Sequence, residues 1–348
     1  MTERGRPLVL SADPDLVDDI RRRVVASGSD ADVASSALMA RGRWLHAPLV
    51  LVGDDLADDP DIALLPRRAG VVVATRDPAL SRPWQLAVTL SADSVVDLSA
   101  SPTALLDRLT SLDTTRARVI GVIGGRGGAG ASVLAALLAM AAGAADLDAV
   151  LVDADPGSAG LDLMLGVEDA PGTRWHDLAD LGAPVPPDRL RATLVRGPGC
   201  DVLSVGRVPG EAIPLKSAPV VLDSIALGCA VAVVDLPRSR PDVVELLAPR
   251  CDVVLVIVTP DVRAATSAAR TAAMVAPCLD VRLVIRRDRG GGLDAEQISD
   301  WLSLPIAAEL PFDSGLVATI DRGDPPGFGR RSRVRQVAHL LLESVLQR

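Results

Sequence analysis

The sequence predicts an α/β protein built as two consecutive parallel-sheet units. Short apolar runs recur along the chain, separated by segments long enough for a helix, which is the pattern of parallel strands joined by crossovers. The length of 348 residues is enough for two domains of ordinary size. Hydrophobic residues make up 49% of the chain but aromatics only 2%, so both cores have to be packed from Ala, Val and Leu.

In the first unit the apolar runs are Pro7–Ser11, Leu49–Val52, Gly70–Ala74 and Ser94–Leu98. Helical patterns such as Asp15–Val25 and Pro102–Leu112 lie between and after them. Four or five such strand–helix units fit an N-terminal flavodoxin-like domain, of the kind that forms response-regulator receivers. A receiver needs an acidic pocket, a phospho-accepting Asp after the third strand and a Lys after the fifth. Asp13 and Asp54 or Asp55 offer the acids, and Thr75 stands where a switch hydroxyl belongs. The lysine is missing, because the last strand ends Ser-Val-Val-Asp-Leu-Ser. Residues 1–112 therefore read as a degenerate receiver-like domain rather than a working phosphorylation domain.

The second unit is expected over 113–348, with Thr110–Arg116 as the linker. Its strand runs are Arg118–Ile123, Ala149–Val152, Val202–Val205, Ala230–Val234, Val253–Val258 and Val281–Ile285. A Pro/Gly-rich stretch, Ala170–Gly199, reads as irregular or loosely helical.

Charge and cysteine usage exclude several function classes. With 36 basic against 45 acidic residues the net charge is −9, which argues against a nucleic-acid binder, and no specific DNA binding is expected. Cys200, Cys229, Cys251 and Cys278 form no C-x-x-C pair, so a zinc site or a disulfide framework is not expected, and buried free thiols in a reducing cytosol are. The N-terminus leads into a strand with no signal-peptide core, and the longest apolar stretch, Val133–Ala145, is too short to span a bilayer. A cytoplasmic protein is expected, at most touching the inner face of the plasma membrane. Lys216 is the only lysine, which limits which lysine-dependent motifs are complete.

Three motifs carry chemistry. The strand run from Arg118 continues into Gly124-Gly-Arg-Gly-Gly-Ala-Gly-Ala-Ser132 and then into the helical run Val133–Ala142. A buried strand, a glycine loop and a helix opening at Ser132 form the geometry that wraps a phosphate chain, because glycines allow close approach and the helix N-terminus adds partial positive charge. From Gly125 through Arg126, Gly127, Gly128, Ala129, Gly130 and Ala131 to Ser132, the spacing matches G-x-x-x-x-G-K-S/T except that Ala131 replaces the lysine. A plain strand-to-helix turn would not need so many glycines. Arg126 is the only nearby cation in sequence. Next comes Leu151-Val-Asp-Ala-Asp-Pro-Gly157, whose carboxylates Asp153 and Asp155 can face the loop from a strand's C-terminal edge, or else lie in a solvated turn. The third is Cys229-Ala-Val-Ala-Val-Val-Asp-Leu-Pro-Arg238, an apolar strand ending in Asp235, the shape of a Walker B strand whose acid meets Mg²⁺ directly or through water.

In this order the three motifs resemble the MinD/ParA family of deviant P-loop ATPases, whose loop reads K-G-G-x-G-K-S/T. The resemblance implies a P-loop NTPase-type parallel-sheet domain that binds ATP or ADP with Mg²⁺. It places Arg126 at the signature lysine that reaches the partner subunit's nucleotide, Ala131 at the P-loop lysine and Ser132 at the Mg²⁺ hydroxyl. It likewise places Asp155 at the residue that positions attacking water, with Asp153 as a weaker catalytic candidate, and Asp235 at the Walker B acid. Arg286 and Arg287 stand where the family has an Asn-Arg pair against adenine. Leu310-Pro-Phe-Asp-Ser-Gly and Ile320-Asp-Arg-Gly-Asp-Pro are similar to its closing segments.

A closer resemblance is to the CpaE-like branch, which puts a receiver-like domain ahead of the ATPase domain, and within it to actinobacterial septum site-determining members. The strings Thr-Arg-Trp-His-Asp-Leu and Val-Val-Asp-Leu-Pro-Arg carry it alongside the loop. It implies a homodimeric regulator of septum site determination and cell division, with weak or absent ATP hydrolysis since Ala131 carries no charge. The alternative it implies is a CpaE/TadZ-like localisation factor for pilus or secretion-system assembly. Partners would accordingly be cell-division or secretion-system proteins.

The last segment, Arg330–Arg348, places Arg330, Arg331, Arg333 and Arg335 before Val334, Val337, Leu341, Val345 and Leu346. Two readings stay open: a basic amphipathic helix on a membrane surface, or a terminal helix packed on the ATPase domain. His46, His176 and His339 are scattered and offer no metal site. Arg282, Arg286, Arg287 and Arg289 form a basic cluster suited to nucleotide contact or a solvated face.

Overall fold

The computed structural model describes residues 6–347 apart from 27–29, 45, 46, 48, 69, 100–116, 180, 182–184, 186, 208–212, 277, 279, 289–291 and 328–331. The chain divides into two compact units, Met1–Arg116 with Ala183–Arg189, and Ala117–Gly182 with Leu190–Arg348. The predicted helix Pro102–Leu112 and the predicted linker Thr110–Arg116 lie outside the described residues.

The first unit is built on strands β1 (Leu8–Leu10), β2 (Asp32–Ala34), β3 (Val50–Gly53), β4 (Val71–Thr75) and β5 (Ser94–Asp97). They form a parallel sheet in the order β2-β1-β3-β4-β5, the flavodoxin-like winding. Helix Pro14–Ala26 begins where the Asp13 carboxylate accepts the backbone N–H groups of Asp15 (2.9 Å) and Leu16 (3.3 Å). It lays Leu16, Ile20 and Val24 against Val9, Leu51 and Val72 of the sheet. Strand β2 has no counterpart among the predicted apolar runs, since it is three residues long, sits at the sheet edge and begins with Asp32.

The second unit contains β6 (Arg118–Gly124), β7 (Ala149–Asp153), β8 (Val195–Arg196), β9 (Asp201–Leu203), β10 (Val231–Leu236), β11 (Val253–Val258), β12 (Val281–Arg286) and β13 (Ile306–Leu310). Their order is β13-β12-β11-β6-β10-β7-β9-β8, parallel throughout except the β8–β9 pair. Strand β6 sits between β10 and β11 and is buried from Val119 to Gly124, which explains its unbroken apolar sequence. The β8 and β13 strands lie at the two edges and carry too weak an apolar signal to be predicted. The Ala170–Gly199 stretch is more ordered than expected: it holds a 3₁₀ turn at Trp175–Leu178, helix Pro187–Thr193 and β8. Trp175 is its anchor, fully buried, with Nε1 donating to the Asp153 carbonyl at 2.6 Å.

Helix Ala131–Ala144 follows the glycine loop and is apolar on nearly every face because it is covered on both sides. Its inner face packs on the sheet through Leu134 and Leu138. The outer face, at Leu137, meets Val334 and Ala338 of the C-terminal helix Arg333–Leu346. Leu341, Leu342 and Val345 of that helix join the same core as β6 and β10. The apolar face that a membrane contact would require is therefore spent on protein packing, which corrects the membrane-surface reading. Arg333 and Arg335 are exposed, and Arg330 and Arg331 lie outside the described residues. Among the described residues no helix is long and apolar enough to cross a membrane.

Cys200, Cys229 and Cys251 are buried and form no disulfide among the described residues, whereas Cys278 is only half-buried. Burial pushes the Cys200 and Cys229 thiols up to about 12, so neither is a thiolate near neutral pH.

The packing of the last helix yields a matched pair of predictions. Leu341 is 2% exposed and its neighbour Leu340 is 64% exposed. Truncating Leu341 to Ala should cost about 2–5 kcal/mol in denaturant unfolding, and Leu340→Ala should stay within about 0.5 kcal/mol of the parent. Equal effects at the two positions would contradict the packing.

Candidate functional site

Strand β6 delivers its last residue, Gly124, to the C-terminal edge of the sheet, where ligands bind in open α/β folds. The Gly125 N–H donates to the Ile257 carbonyl of β11 at 2.9 Å, and a Cβ there would stand 2.7 Å from that of Ala268. Gly125 thus serves the packing of the loop against helix Val262–Val275, and Gly124 takes its expected place on the wall of the site. Gly128 (φ +70°) and Gly130 (φ +102°) occupy the left-handed region, which lets the loop turn into the helix at Ala131, one residue earlier than expected. Above the loop lies a cavity of about 610 Å³. Gly124, Arg126, Gly127, Gly128, Ala129, Gly130, Ala131 and Ser132 line one wall, and Asp155, Asp235, Arg238, Arg286 and Arg287 stand on others. An apolar side is formed by Leu137, Met164, Phe312, Leu316 and Val317.

Asp235 ends its apolar strand inside the cavity, 2% exposed, with Oδ2 making no hydrogen bond. Burial pushes its carboxyl up to about 8, against the easing effect of the Ser132 hydroxyl, with Asp153 and Asp155 adding like-charge repulsion. An orphaned, buried carboxylate oxygen beside a hydroxyl is a donor set that fits Mg²⁺. Among the described residues no three His, Cys, Asp or Glu side chains gather as a metal site. Mg²⁺ at Ser132 and Asp235 would therefore need phosphate oxygens and water to complete its shell.

The two acids of the D-x-D segment part ways. Asp153 is fully buried, and its carboxylate accepts from the Asp155 N–H (3.2 Å), the Ser158 hydroxyl (2.9 Å), the Leu161 N–H (3.0 Å) and the Ser204 hydroxyl (3.4 Å). It is not among the residues lining the cavity, and its bonds fasten its own loop, a structural role for the weaker catalytic candidate. Asp155 does line the cavity, half-buried, with its carboxylate accepting the Gly157 N–H at 2.9 Å.

Arginines crowd the loop. Arg126 Nε donates to the Thr259 hydroxyl at 2.9 Å, and its Nη2 stands 3.9 Å from Asp261. Arg286, at the end of β12, sends Nη1 to the Gly128 carbonyl at 3.1 Å. The expectation that Arg126 is the only cation near the loop is thus corrected, for a reason the sequence hides: 158 residues separate Arg286 from the loop it touches. Arg287 donates to Glu309 at 2.6 Å, and Arg282 pairs with Asp280 at 2.7 Å, so the basic cluster is largely neutralised; Arg289 lies outside the described residues. Sequence reasoning also missed Arg238 and the Thr259–Asp261 pair, although Thr259-Pro-Asp261 directly follows the β11 run.

In the first unit the expected acidic pocket is spent on internal bonds. Asp54 accepts the Thr75 hydroxyl at 2.6 Å. Asp55 accepts the Ser11 hydroxyl and the Ala12 N–H, both at 2.8 Å. Asp97, where a receiver has lysine nearby, accepts the Ser99 N–H at 2.7 Å.

The raised carboxyls make metal-free stability pH-dependent. Asp153 and Asp235 sit near about 6 and about 8 when folded, against an ordinary value of 3.8. The folded state therefore holds protons that the unfolded chain has released, and stability falls as pH rises from 3.8 through about 8. In Asp235→Asn the fall should flatten between about 6 and about 8, as read by urea unfolding at several pH values in chelator. An unchanged slope in that window would show that another group titrates there.

Comparison with known proteins agrees with both halves of this description. Residues 10–119 match the family described as the Rv3660c-like, CheY-like N-terminal domain. Over 333 residues the chain is 34% identical to the Mycobacterium tuberculosis proteins Rv3660c and MT3760, covering 93% of this chain and 92% of theirs. Among solved structures, it is similar to a chain of the MinC:MinD cell division protein complex of Aquifex aeolicus (22% identity, TM-score 0.56, 67% of this chain and 96% of that one). It is also similar to a ParA family ATPase from Chlorobium tepidum (20%, 0.55, 67% and 99%). A third match is the septum site-determining protein MinD complexed with Mg-ADP from Pyrococcus horikoshii (20%, 0.56, 66% and 96%). At these identities the structural likenesses establish the fold, a MinD/ParA-type P-loop unit following a CheY-like one. By its near full-length relationship to the mycobacterial proteins, the chain belongs to the Rv3660c-like family.

Proposed function

We propose that this protein is a nucleotide-binding regulator of septum site determination and cell division, taking ATP or ADP with Mg²⁺ at the loop and hydrolysing it slowly or not at all. The observation that carries the reading is the buried, unpartnered Asp235 oxygen beside Ser132, at one wall of a cavity otherwise rich in arginine. One wall asks for a cation and the other for an anion, and a magnesium–polyphosphate supplies both. The solved neighbours support the ligand class, since one MinD holds Mg-ADP and a Borrelia burgdorferi plasmid partition protein of similar fold is bound to AMPPNP.

Ser132 and Asp235 would hold Mg²⁺, the N–H groups of residues 127–132 would meet the phosphates, and Asp155 would orient water. Mg²⁺, when bound, neutralises charge on the phosphate oxygens. Ala131 takes away the cation that phosphoryl transfer most relies on, so binding survives better than turnover. The protein acts as a homodimer in the cytoplasm, and its partners are cell-division proteins. The receiver-like unit ahead of the P-loop unit favours a second reading, a CpaE/TadZ-like localisation factor for a pilus or secretion apparatus.

Calorimetry with ATP and ADP, with and without Mg²⁺, tests the core of the reading. Micromolar to sub-millimolar binding is expected, with Ser132→Ala and Asp235→Asn losing the Mg²⁺-dependent part. No heat at millimolar nucleotide would remove the proposal. Phosphate release should stay at the level of Asp155→Ala, and a clear excess over that variant would make the protein an ATPase. A fluorescent fusion gathering at division septa, rather than at sites of secretion-system proteins, separates the two cellular roles.

A further inference from the structure

The loop has Ala131 in place of the P-loop lysine, its one cation Arg126 is shared with Thr259 and Asp261, and the chain's only lysine, Lys216, is not on the cavity wall. We propose that Arg286 supplies the missing charge, so that a nucleoside di- or triphosphate is gripped by a guanidinium reaching across from β12 rather than by a side chain of the loop. This deepens the nucleotide-binding reading and rests on it.

Geometry places Arg286 at the loop's crest. Its Nη1 lies 3.1 Å from the Gly128 carbonyl, and a Cβ on Gly130 would stand 3.4 Å from the same nitrogen. The guanidinium therefore spans Gly128–Gly130, the turn directly before Ala131 and Ser132. The bond to Gly128 uses one of the five N–H donors of the fork, and among the described residues Arg286 has no carboxylate within 4.0 Å. Arg126 differs, because Thr259 and Asp261 already share its charge.

Electrostatics point the same way. Burial and the like charge of Arg126 both press the Arg286 guanidinium below its ordinary value, with Asp288 only partly offsetting them. Two cations converging on a glycine loop repel each other until an anion enters between them, and a guanidinium fork matches phosphate oxygens in pairs. The opposite wall carries the independent sign of a ligand, the buried Asp235 oxygen without a partner. The family position of Arg286 implies contact with the base, but the distances put its charge over the phosphate loop.

The test uses the full-length protein and calorimetric titration with ADP and AMP in Mg²⁺. Arg286→Gln keeps an amide that can still meet the Gly128 carbonyl but removes the charge, and Arg286→Lys keeps the charge without the fork. The expected result for Arg286→Gln is a loss of ADP affinity on the order of 10- to 100-fold, with a much smaller loss for AMP. Arg286→Lys should retain most of the ADP affinity, and Ala131→Lys added to Arg286→Gln should restore it. Wild-type ADP affinity in Arg286→Gln would make the residue a mere brace of the loop, and equal losses for ADP and AMP would move it to the base, so either overturns the proposal. If the parent protein itself binds neither ligand, it is the nucleotide reading that fails.

Discussion

The site depends on a carboxylate that the fold buries without giving it a counter-ion. Removing an ionised carboxylate from water is costly, and an isolated one is held protonated instead. Asp235 is in this position: strand β10 is buried from end to end, carries the acid to the sheet edge and leaves Oδ2 unbonded. Across the loop the arginines present the mirror problem, since Arg286 is half-buried beside Arg126 and Asp288 only partly offsets the like charge. The two imbalances lie on different walls of one cavity and do not cancel by direct pairing among the described residues. A ligand bearing both signs relieves both at once, which is why the reading rests on charge as well as on the shape of the loop.

The phosphate loop was legible because its signals are local. A buried central strand reads as a continuous apolar run, and the turn into the helix demands glycine at Gly128 and Gly130. What escaped the sequence is long-range or depends on direction. Arg286 meets the loop only because β12 lies beside β11 and β11 beside β6, an adjacency that no spacing along the chain reveals. Asp153 and Asp155 share the alternation that would put both on one face, yet the strand ends at Asp153 and the following turn re-aims Asp155 alone into the cavity. The amphipathic pattern at the C-terminus shows that a face must be covered but not by what, since lipid and protein satisfy the same apolar stripe. The short edge strands β2, β8 and β13 gave no run long enough to detect.

In the first unit the fold does not rest on the pocket acids. Its core, built from Val9, Leu51, Val72 and Ala74 against the first helix, contains none of the pocket acids. Asp54 and Asp55 accept hydrogen bonds from Thr75, Ser11 and Ala12. The CheY-like likeness therefore speaks for architecture, and a phosphorylation role would have to compete with bonds these carboxylates already make.

Binding and turnover separate for a related reason in the second unit. The loop that carries Asp155 is fastened from behind: Asp153 holds the backbone at Asp155 and Leu161 as well as Ser158, and Trp175 locks the Asp153 carbonyl from the core. The Asp155 carboxylate is itself engaged with the Gly157 N–H. That bond uses Oδ1, and Oδ2 makes no hydrogen bond among the described residues, so the carboxylate can meet a water molecule without breaking it. What separates binding from turnover is the absent loop lysine, the charge on which phosphoryl transfer most relies, and under the proposed function it favours holding a nucleotide over cleaving one.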